Sequence, residues 1–473
     1  MHIGIIFDFK TLIITEWEEI SMKKTALCIA LVVIVAGFAA SAYAYQALVG
    51  PTGVVYYDKS DAYDGYTLFS PNSCKSSYLI DMEGNLINEW RTKFYPGLYG
   101  ELLPNGNLLR GARPPYKYCG IDGVCGRVQE LNWDGDVVWE FKDMATRDKV
   151  SHHAFERMPN GNTLILGWER ISNEDIIAKG RDPKTIPEKS VKSKGVYHRD
   201  FWLDFVWEVT PSNQIVWEWH CFDHIGTGPD QLDINYILPM PVGEIYATYD
   251  WSHFNSVRYI PETDQILMNS RNLSEFYLVN HKTGKIEYRW GNPSAYGAGK
   301  APSFFDVGDQ KMFGSHDATW LGDGKVMVFD NSSENPEGTR SRVLIVDTKT
   351  NEEIWRYESW DQSSFFSHRQ GSAQMLPNGN VLVTSSNLGH VFEVTEKGKI
   401  AWDFVNPMIK DSPICTIKDD DRKVQVQGHD FYFNMIHRAF RYSKDFPGFQ
   451  GKDLSVKEKL APKCPEAYKF YQY

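Results

Sequence analysis

One motif restricts this chain more than any other: an apolar strand, a Pro-Asn-Gly-Asn turn and a second apolar strand. It occurs at Leu102-Leu103-Pro104-Asn105-Gly106-Asn107, at Met158-Pro159-Asn160-Gly161-Asn162 and at Leu376-Pro377-Asn378-Gly379-Asn380. Looser copies are Ile260-Pro261-Glu262-Thr263-Asp264-Gln265 and Leu321-Gly322-Asp323-Gly324-Lys325. Asn-Gly supplies the positive φ angles that a tight hairpin requires. A second pattern alternates with the first: a strand, a polar turn and a strand ending in aromatics two apart. Its copies end in Trp139/Phe141, Trp217/Trp219, Tyr288/Trp290, Trp355/Tyr357 and Trp402/Phe404, and Trp90 ends a weaker copy that starts near Ser77. A spacing of two puts both rings on one face of a strand, where they are expected to pack between neighbouring sheets.

One hairpin of each kind makes a four-stranded sheet. The first unit, residues 64–91, holds only the later strands, and the C-terminal run from Asn434 to Tyr442 can supply the missing one. The expected fold is therefore all-β: a six-bladed β-propeller closed by pairing of N-terminal and C-terminal strands, with no free edge. Trp-to-Trp spacings of about 50 to 80 residues exceed a minimal blade. Insertions near 170–200, 222–250, 292–314 and 408–432 account for the excess. Almost no helical periodicity is present, which argues against a solenoid.

The N-terminus reads differently. Met22-Lys23-Lys24 opens a positive segment, an apolar run follows from Ala26 to Ala40, and Ala42-Tyr43-Ala44 fits a small-x-small cleavage site. That order is a secretory signal peptide. Residues 1–44 are expected to be an N-terminal extension and signal peptide, with Met22 as the true start, and 45–473 to be the propeller catalytic domain. The apolar run of about 15 residues falls short of the roughly 20 that span a bilayer. The expectation is a periplasmic or secreted protein with no stable membrane anchor. Besides Cys28 there are six cysteines, and in an exported chain an even number suggests disulfides, with Cys119–Cys125 the best-spaced pair. A formal charge of −11 argues against nucleic acid as a partner. The C-x5-C spacing, with no second close pair, gives poor support for a zinc site, and no metal is expected.

Histidines recur ahead of the first-type hairpins. His152 and His153 precede Met158-Pro159, His253 precedes Ile260-Pro261, His316 precedes Leu321-Gly322, and His368 precedes Leu376-Pro377. The innermost strands of a propeller begin at one end of the ring. Residues distant in sequence would thus converge there, at the end where such folds carry function.

The segment Asp250-Trp251-Ser252-His253-Phe254-Asn255-Ser256 resembles the D-W-x-H-x-N-S signature of bacterial arylsulfate sulfotransferases. So do Ser315-His316-Asp317-Ala318 with Val328-Phe329-Asp330-Asn331, and Gly371-Ser372-Ala373-Gln374 with Gly389-His390-Val391-Phe392. The resemblance runs from Gly65-Tyr66-Thr67-Leu68 to Pro447-Gly448. It implies a propeller that moves a sulfuryl group from a phenolic sulfate ester to a phenol through a sulfohistidine, with no cofactor. His253 and His316 match the supporting histidines and His390 the nucleophile, with His368 as its substitute. The sulfate-holding arginine is Arg340 or Arg342. Trp251, Asn255 and His368 are the expected substrate contacts, with Phe254 and Phe366 available for stacking. The partners implied are a small-molecule phenolic sulfate donor and a phenol acceptor, and a homo-oligomer remains open. Two other readings stay beside this one: a metal- or quinone-cofactor propeller oxidoreductase, and a non-catalytic propeller binding module.

Overall fold

Each residue of the Pro-Asn-Gly-Asn turn has its own task. In the first copy Asn105 Oδ1 accepts the Asn107 amide at 2.9 Å, and Gly106 takes φ +84°. The second asparagine reaches across the blade: Asn107 Nδ2 donates to Glu130 at 2.7 Å, Asn162 Nδ2 to Glu208 at 2.5 Å, and Asn380 Nδ2 to Glu393 at 2.7 Å. The motif closes the hairpin of strands one and two and also pins it to strand three of the same sheet.

The computed structural model describes residues 52–113, 121, 123–142, 148–193, 196–237, 249–333, 335–361, 364–413, 423–426, 429–432 and 434–460. They form the expected six-bladed propeller. From innermost to outermost strand, blade two is Tyr95–Leu102, Leu108–Arg113, Val128–Leu131 and Val137–Phe141. Blade three is Lys149–Arg157, Thr163–Ile171, Phe201–Val209 and Ile215–His220. Blade four is Phe254–Ile260, Gln265–Ser270, Glu275–Asn280 and Ile286–Trp290. Blade five is His316–Gly322, Lys325–Asp330, Arg342–Asp347 and Glu352–Tyr357. Blade six is Ser372–Met375, Val381–Ser385, His390–Val394 and Ile400–Val405.

Blade one closes the ring. Its innermost strand is the C-terminal Ile436–Ser443, paired antiparallel with Gly65–Pro71, and Ser76–Ile80 and Asn85–Arg91 follow outward. The N-terminal strand Gly53–Tyr57 adds a fifth strand to the outside of blade six, and Glu458–Lys459 does the same for blade one. The first insertion, near 170–200, carries a short helix, Asn173–Ala178, whose start Ser172 caps by accepting the Asp175 amide.

The outer-strand tryptophans do more than pack. One indole Nε1 per blade donates to a carbonyl of the next blade, in the turn before that blade's fourth strand. The pairs are Trp90 to Asn132, Trp139 to Pro211, Trp219 to Gly284, Trp290 to Asn351, Trp355 to Glu396 and Trp402 to Met82, at 2.9–3.3 Å. The last pair joins blade six to blade one, so the hydrogen-bonded ring of tryptophans is complete. A buried indole N–H needs such a partner, and here the partner also fixes each blade against its neighbour.

Candidate active site

The innermost strands share an irregularity. Leu98, His153, His253, Asp317 and Gln370 all lie in the left-handed region, with φ of 90°, 50°, 45°, 53° and 59°. Pairing with the second strand slips beside four of them, between Pro96 and Gly100, Ile165 and Gly167, Phe254 and Ser256, and His316 and Thr319. The closing strand slips against Gly65–Pro71 between Ile436 and Ala439. A β-bulge of this kind turns a side chain out of the pleat. A non-glycine residue held there costs on the order of 1–3 kcal/mol, and such strain concentrates at functional sites. In this ring the bulges aim histidines from several blades at a common centre.

Five buried imidazoles meet there: His152, His153, His253, His316 and His437. The rings of His153 and His253 are 4.8 Å apart, those of His153 and His437 6.1 Å, and those of His316 and His437 6.3 Å. His152 Nδ1 lies 2.9 Å from His153 Nδ1, and the His152 ring stacks on Trp168 at 3.6 Å. His253 Nδ1 meets the Asp250 carboxylate at 2.6 Å, which makes Nδ1 the protonated nitrogen. His316 Nδ1 faces two acceptors, Asn331 Oδ1 at 2.7 Å and the Gly314 carbonyl at 3.1 Å, while its Nε2 accepts the Gln370 amide at 3.2 Å. Its tautomer is thereby fixed. Both ring nitrogens of His437 are without a hydrogen-bond partner among the described residues.

Burial sets the charge state. His152, His153, His316 and His437 are all pushed well below the usual imidazole range, chiefly because the interior penalises the cation. Asp204 is pushed well above the usual carboxylate range for the same reason. Positive charge is supplied by arginine. Arg438 Nε lies 3.2 Å from Asp317 Oδ1 and Nη2 donates to the Asn255 carbonyl at 3.0 Å, but Nη1 has no hydrogen-bond partner among the described residues. Arg271 is buried beside the group, its amide bonded to the His253 carbonyl at 3.0 Å, and its charge helps keep His316 neutral. Alongside lies a second layer of charge, Glu101, Glu156 and Arg258, in which burial pushes Glu156 up to about 7.

The arylsulfotransferase (ASST) family matches residues 54–432. The chain belongs to that family. It is an enzyme of the aryl sulfotransferase class, acting on small molecules. No curated protein matches it. Similar solved structures include a protein of unknown function from Bacteroides caccae, with 10% identity over 72% of this chain and 94% of that one and a TM-score of 0.45. Another is a streptogramin B lyase structure, with 12% identity over 75% and 82% and a TM-score of 0.38. A third is apo AztD from Citrobacter koseri, with 10% identity over 74% and 97% and a TM-score of 0.34.

The residues singled out in the arylsulfotransferase sequence fall into distinct places. His253 and His316 lie together in the central group. His390 opens the third strand of blade six, half-buried, with Nε2 on Asp403 Oδ1 at 2.7 Å and its ring 4.8 Å from Phe392. It therefore stands two strands out from the innermost one. His368 is exposed, 6.3 Å from Phe366. Arg342 is buried against Asp330 and the Lys311 carbonyl, and Arg340 is half-buried beside Glu358 at 3.4 Å. Trp251 is core, its indole bonded to the Tyr236 carbonyl at 2.8 Å, and Phe254 packs in the same core. Asn255 ties blade four to blade five through the Ser315 carbonyl at 2.8 Å. Cys119 lies outside the described residues, so its pairing with Cys125 does too. Cys74 and Cys221 are buried thiols.

Several residues of the centre carried no role in the sequence reading. His152 and His153 were visible as a pair ahead of a hairpin. His437 and Arg438 read only as part of a closing strand. Their signal was available: once Asn434–Tyr442 is the innermost strand of blade one, its first residues must sit level with His253 and His316.

Proposed function

We propose that the chain moves a sulfuryl group from a phenolic sulfate ester to a phenol, with His437 as the transient carrier. The observation that carries this reading is the pairing of two groups on adjacent residues that have no hydrogen-bond partner among the described residues: both ring nitrogens of His437 and Nη1 of Arg438. A buried polar atom without a partner is costly, and a sulfate ester offers what these atoms lack. Its three oxygens accept from a guanidinium, and its sulfur accepts the lone pair of a neutral imidazole.

In the first half-reaction a His437 nitrogen lone pair forms the N–S bond. The S–O(aryl) bond breaks with its electron pair on the phenolate oxygen, which takes up a proton. In the second, the acceptor phenol oxygen attacks sulfur, loses its proton, and the N–S bond breaks. A transferring sulfuryl group resembles a phosphoryl group, so positioning and charge stabilisation carry most of the catalysis. Arg438 supplies charge, and Asp250, bonded to His253 Nδ1, holds that ring in place beside the group. His316, with its tautomer fixed, braces His437. Signal-peptide-directed export of the chain to the periplasm or outside the cell is part of the same proposal.

The test is incubation with p-nitrophenyl sulfate, with and without a phenol, followed by peptide mapping after rapid quench. The expected results are p-nitrophenol release that depends on added phenol and a gain of one SO3 on the peptide containing His437. A gain on the peptide containing His390 would reassign the carrier to the His390–Asp403 pair. Release independent of phenol would make the enzyme a hydrolase.

A further inference from the structure

The sulfuryl-transfer reading leaves open where the two phenol oxygens exchange their protons. The groups with unresolved chemistry beside His437 are His152, His153 and Asp204, which the transfer steps do not use. His152 and His153 are consecutive residues of the innermost strand of blade three, both buried, with Nδ1 facing Nδ1 at 2.9 Å. Consecutive strand residues ordinarily point to opposite faces. The bulge at His153, with φ 50°, brings these two rings together. The contact is built rather than incidental. Trp168 stacks on the His152 ring, and Gly123 leaves the space the His153 ring fills. Behind His152, Nε2 lies 3.0 Å from Asp204 Oδ1, off the line of a hydrogen bond, and both residues are fully buried. In front, His153 meets the rings of His253 and His437.

We infer that Asp204, His152 and His153 form a proton wire that stores the reaction's proton on the buried Asp204 carboxyl from the end of one catalytic cycle to the start of the next. This deepens the sulfuryl-transfer reading and rests on it. An Nδ1···Nδ1 contact between neutral imidazoles admits one proton, so the two tautomers are locked to each other. With Asp204 ionised, His152 carries its proton on Nε2 and His153 on Nδ1, leaving the His153 Nε2 lone pair as a base toward the site. A proton accepted there from the acceptor phenol moves the Nδ1 proton of His153 to His152 and, once the His152 ring and the Asp204 carboxylate come into line, the Nε2 proton of His152 to Asp204. The product state has protonated Asp204, His152 protonated on Nδ1 and His153 protonated on Nε2. One proton has entered, and neither imidazole is charged in either resting state. The reverse movement delivers that proton to the leaving phenolate of the next donor, so the cycle balances with no other acid.

The neighbours agree with this assignment. Besides the wire itself, the titratable groups facing it are Asp250, His253, His316, His437 and the Cys221 thiol, whose acidity is suppressed by burial and by the Asp204 charge. Asp204 also accepts the Ser252 hydroxyl, which holds the carboxyl in place. Asp204 and His152 are positioning residues, and His153 is the group that meets the substrate oxygen.

The experiment compares donors with poor and good leaving groups, phenyl sulfate and p-nitrophenyl sulfate, with a common acceptor. For the wild type, a solvent deuterium isotope effect of about 2 or more is expected on kcat/KM with phenyl sulfate and close to unity with p-nitrophenyl sulfate. Asp204→Asn and His152→Phe are expected to lower kcat/KM for phenyl sulfate about 100-fold, the scale of general acid catalysis, and to change the ratio between donors at least tenfold. An equal loss on both donors would make these residues merely structural and overturn the wire. So would the absence of the wild-type isotope effect, which needs no variant to fold. No transfer from either donor would instead overturn the sulfuryl-transfer reading itself.

Discussion

Gly123 and His153 compete for one volume. A Cβ on Gly123 would lie 2.0 Å from Cε1 of the His153 imidazole, and Gly123 holds φ +102°, a conformation L residues rarely adopt. The Gly123 carbonyl also accepts the His153 amide at 2.9 Å, so backbone and ring are positioned by the same residue. Gly123→Ala is therefore expected to displace the imidazole as well as strain the loop. The strain costs on the order of 1–3 kcal/mol, a modest fall in melting temperature, whereas kcat should fall by more than tenfold. Activity that survives at a lowered melting temperature would show that the position of the His153 ring is unimportant.

The two arginines that the sequence leaves as alternatives differ in what their removal exposes. Arg342 Nε donates to Asp330 Oδ2 at 2.8 Å, and Asp330 is buried, with its other oxygen accepting the Phe313 and Ser332 amides. Arg342→Ala strands that carboxylate and is expected to cost about 3–5 kcal/mol. Arg340 meets Glu358 at 3.4 Å near the surface. Arg340→Ala is expected to cost less than about 1 kcal/mol. Urea unfolding of the two variants separates the cases, and equal midpoints would refute the distinction.

How much of this was legible follows from the kind of signal each residue left. The ring was readable because Asn-Gly turns and paired aromatics are local, repeated and chemically forced. The tasks of the second asparagine and of the indole N–H were not, since Glu130 becomes a partner only once the third strand joins its sheet and Asn132 only once the blades stack. His253 and His316 were found because they sit in distinctive motifs ahead of equivalent strands. His437 and Arg438 escaped because their blade is assembled from both chain ends, which breaks the spacing that links a histidine to its hairpin. The bulges were invisible for another reason. Leu98, His153 and Asp317 hold positive φ without the glycine that would announce it.

Burial of His437 makes a prediction about pH. The folded protein keeps this imidazole well below its ordinary range, while the unfolded chain protonates it near pH ~6.5. The unfolded state thus binds the extra proton. The stability due to this group is complete above pH ~6.5 and is lost as pH falls below it, by up to about 1.4 kcal/mol per pH unit. His437→Gln removes the titration. The stability of the wild type relative to this variant should therefore shrink as pH is lowered from about 7.5 to about 5.5, read from urea midpoints at each pH. A constant difference would mean that His437 protonates as easily folded as unfolded.

Ring closure depends on a second buried arginine. Arg441, on the closing strand, donates from Nε to Thr67 Oγ1 at 2.6 Å and from Nη1 to the Tyr63 carbonyl at 2.7 Å. The same Nη1 lies 3.2 Å from Glu393 of blade six, and the guanidinium covers the Trp402 ring at 4.6 Å. One side chain thus joins the C-terminal strand, the start of blade one and the third strand of blade six, where the chain ends meet. Burial lowers its pKa to about 10, so it stays charged at neutral pH. Glu393 is also held by Asn380 of the Pro-Asn-Gly-Asn turn and by the Tyr63 amide, both at 2.7 Å. Arg441→Ala leaves that carboxylate buried without its cation and is expected to cost about 3–5 kcal/mol. Arg441→Met combined with Glu393→Gln removes both charges, keeps much of the packing on Trp402, and should recover more than half of the loss. Limited proteolysis locates the effect: in the single variant, cleavage should begin within the closing strand before any other blade is cut. First cleavage elsewhere would show that the ring is held shut by its tryptophan contacts instead.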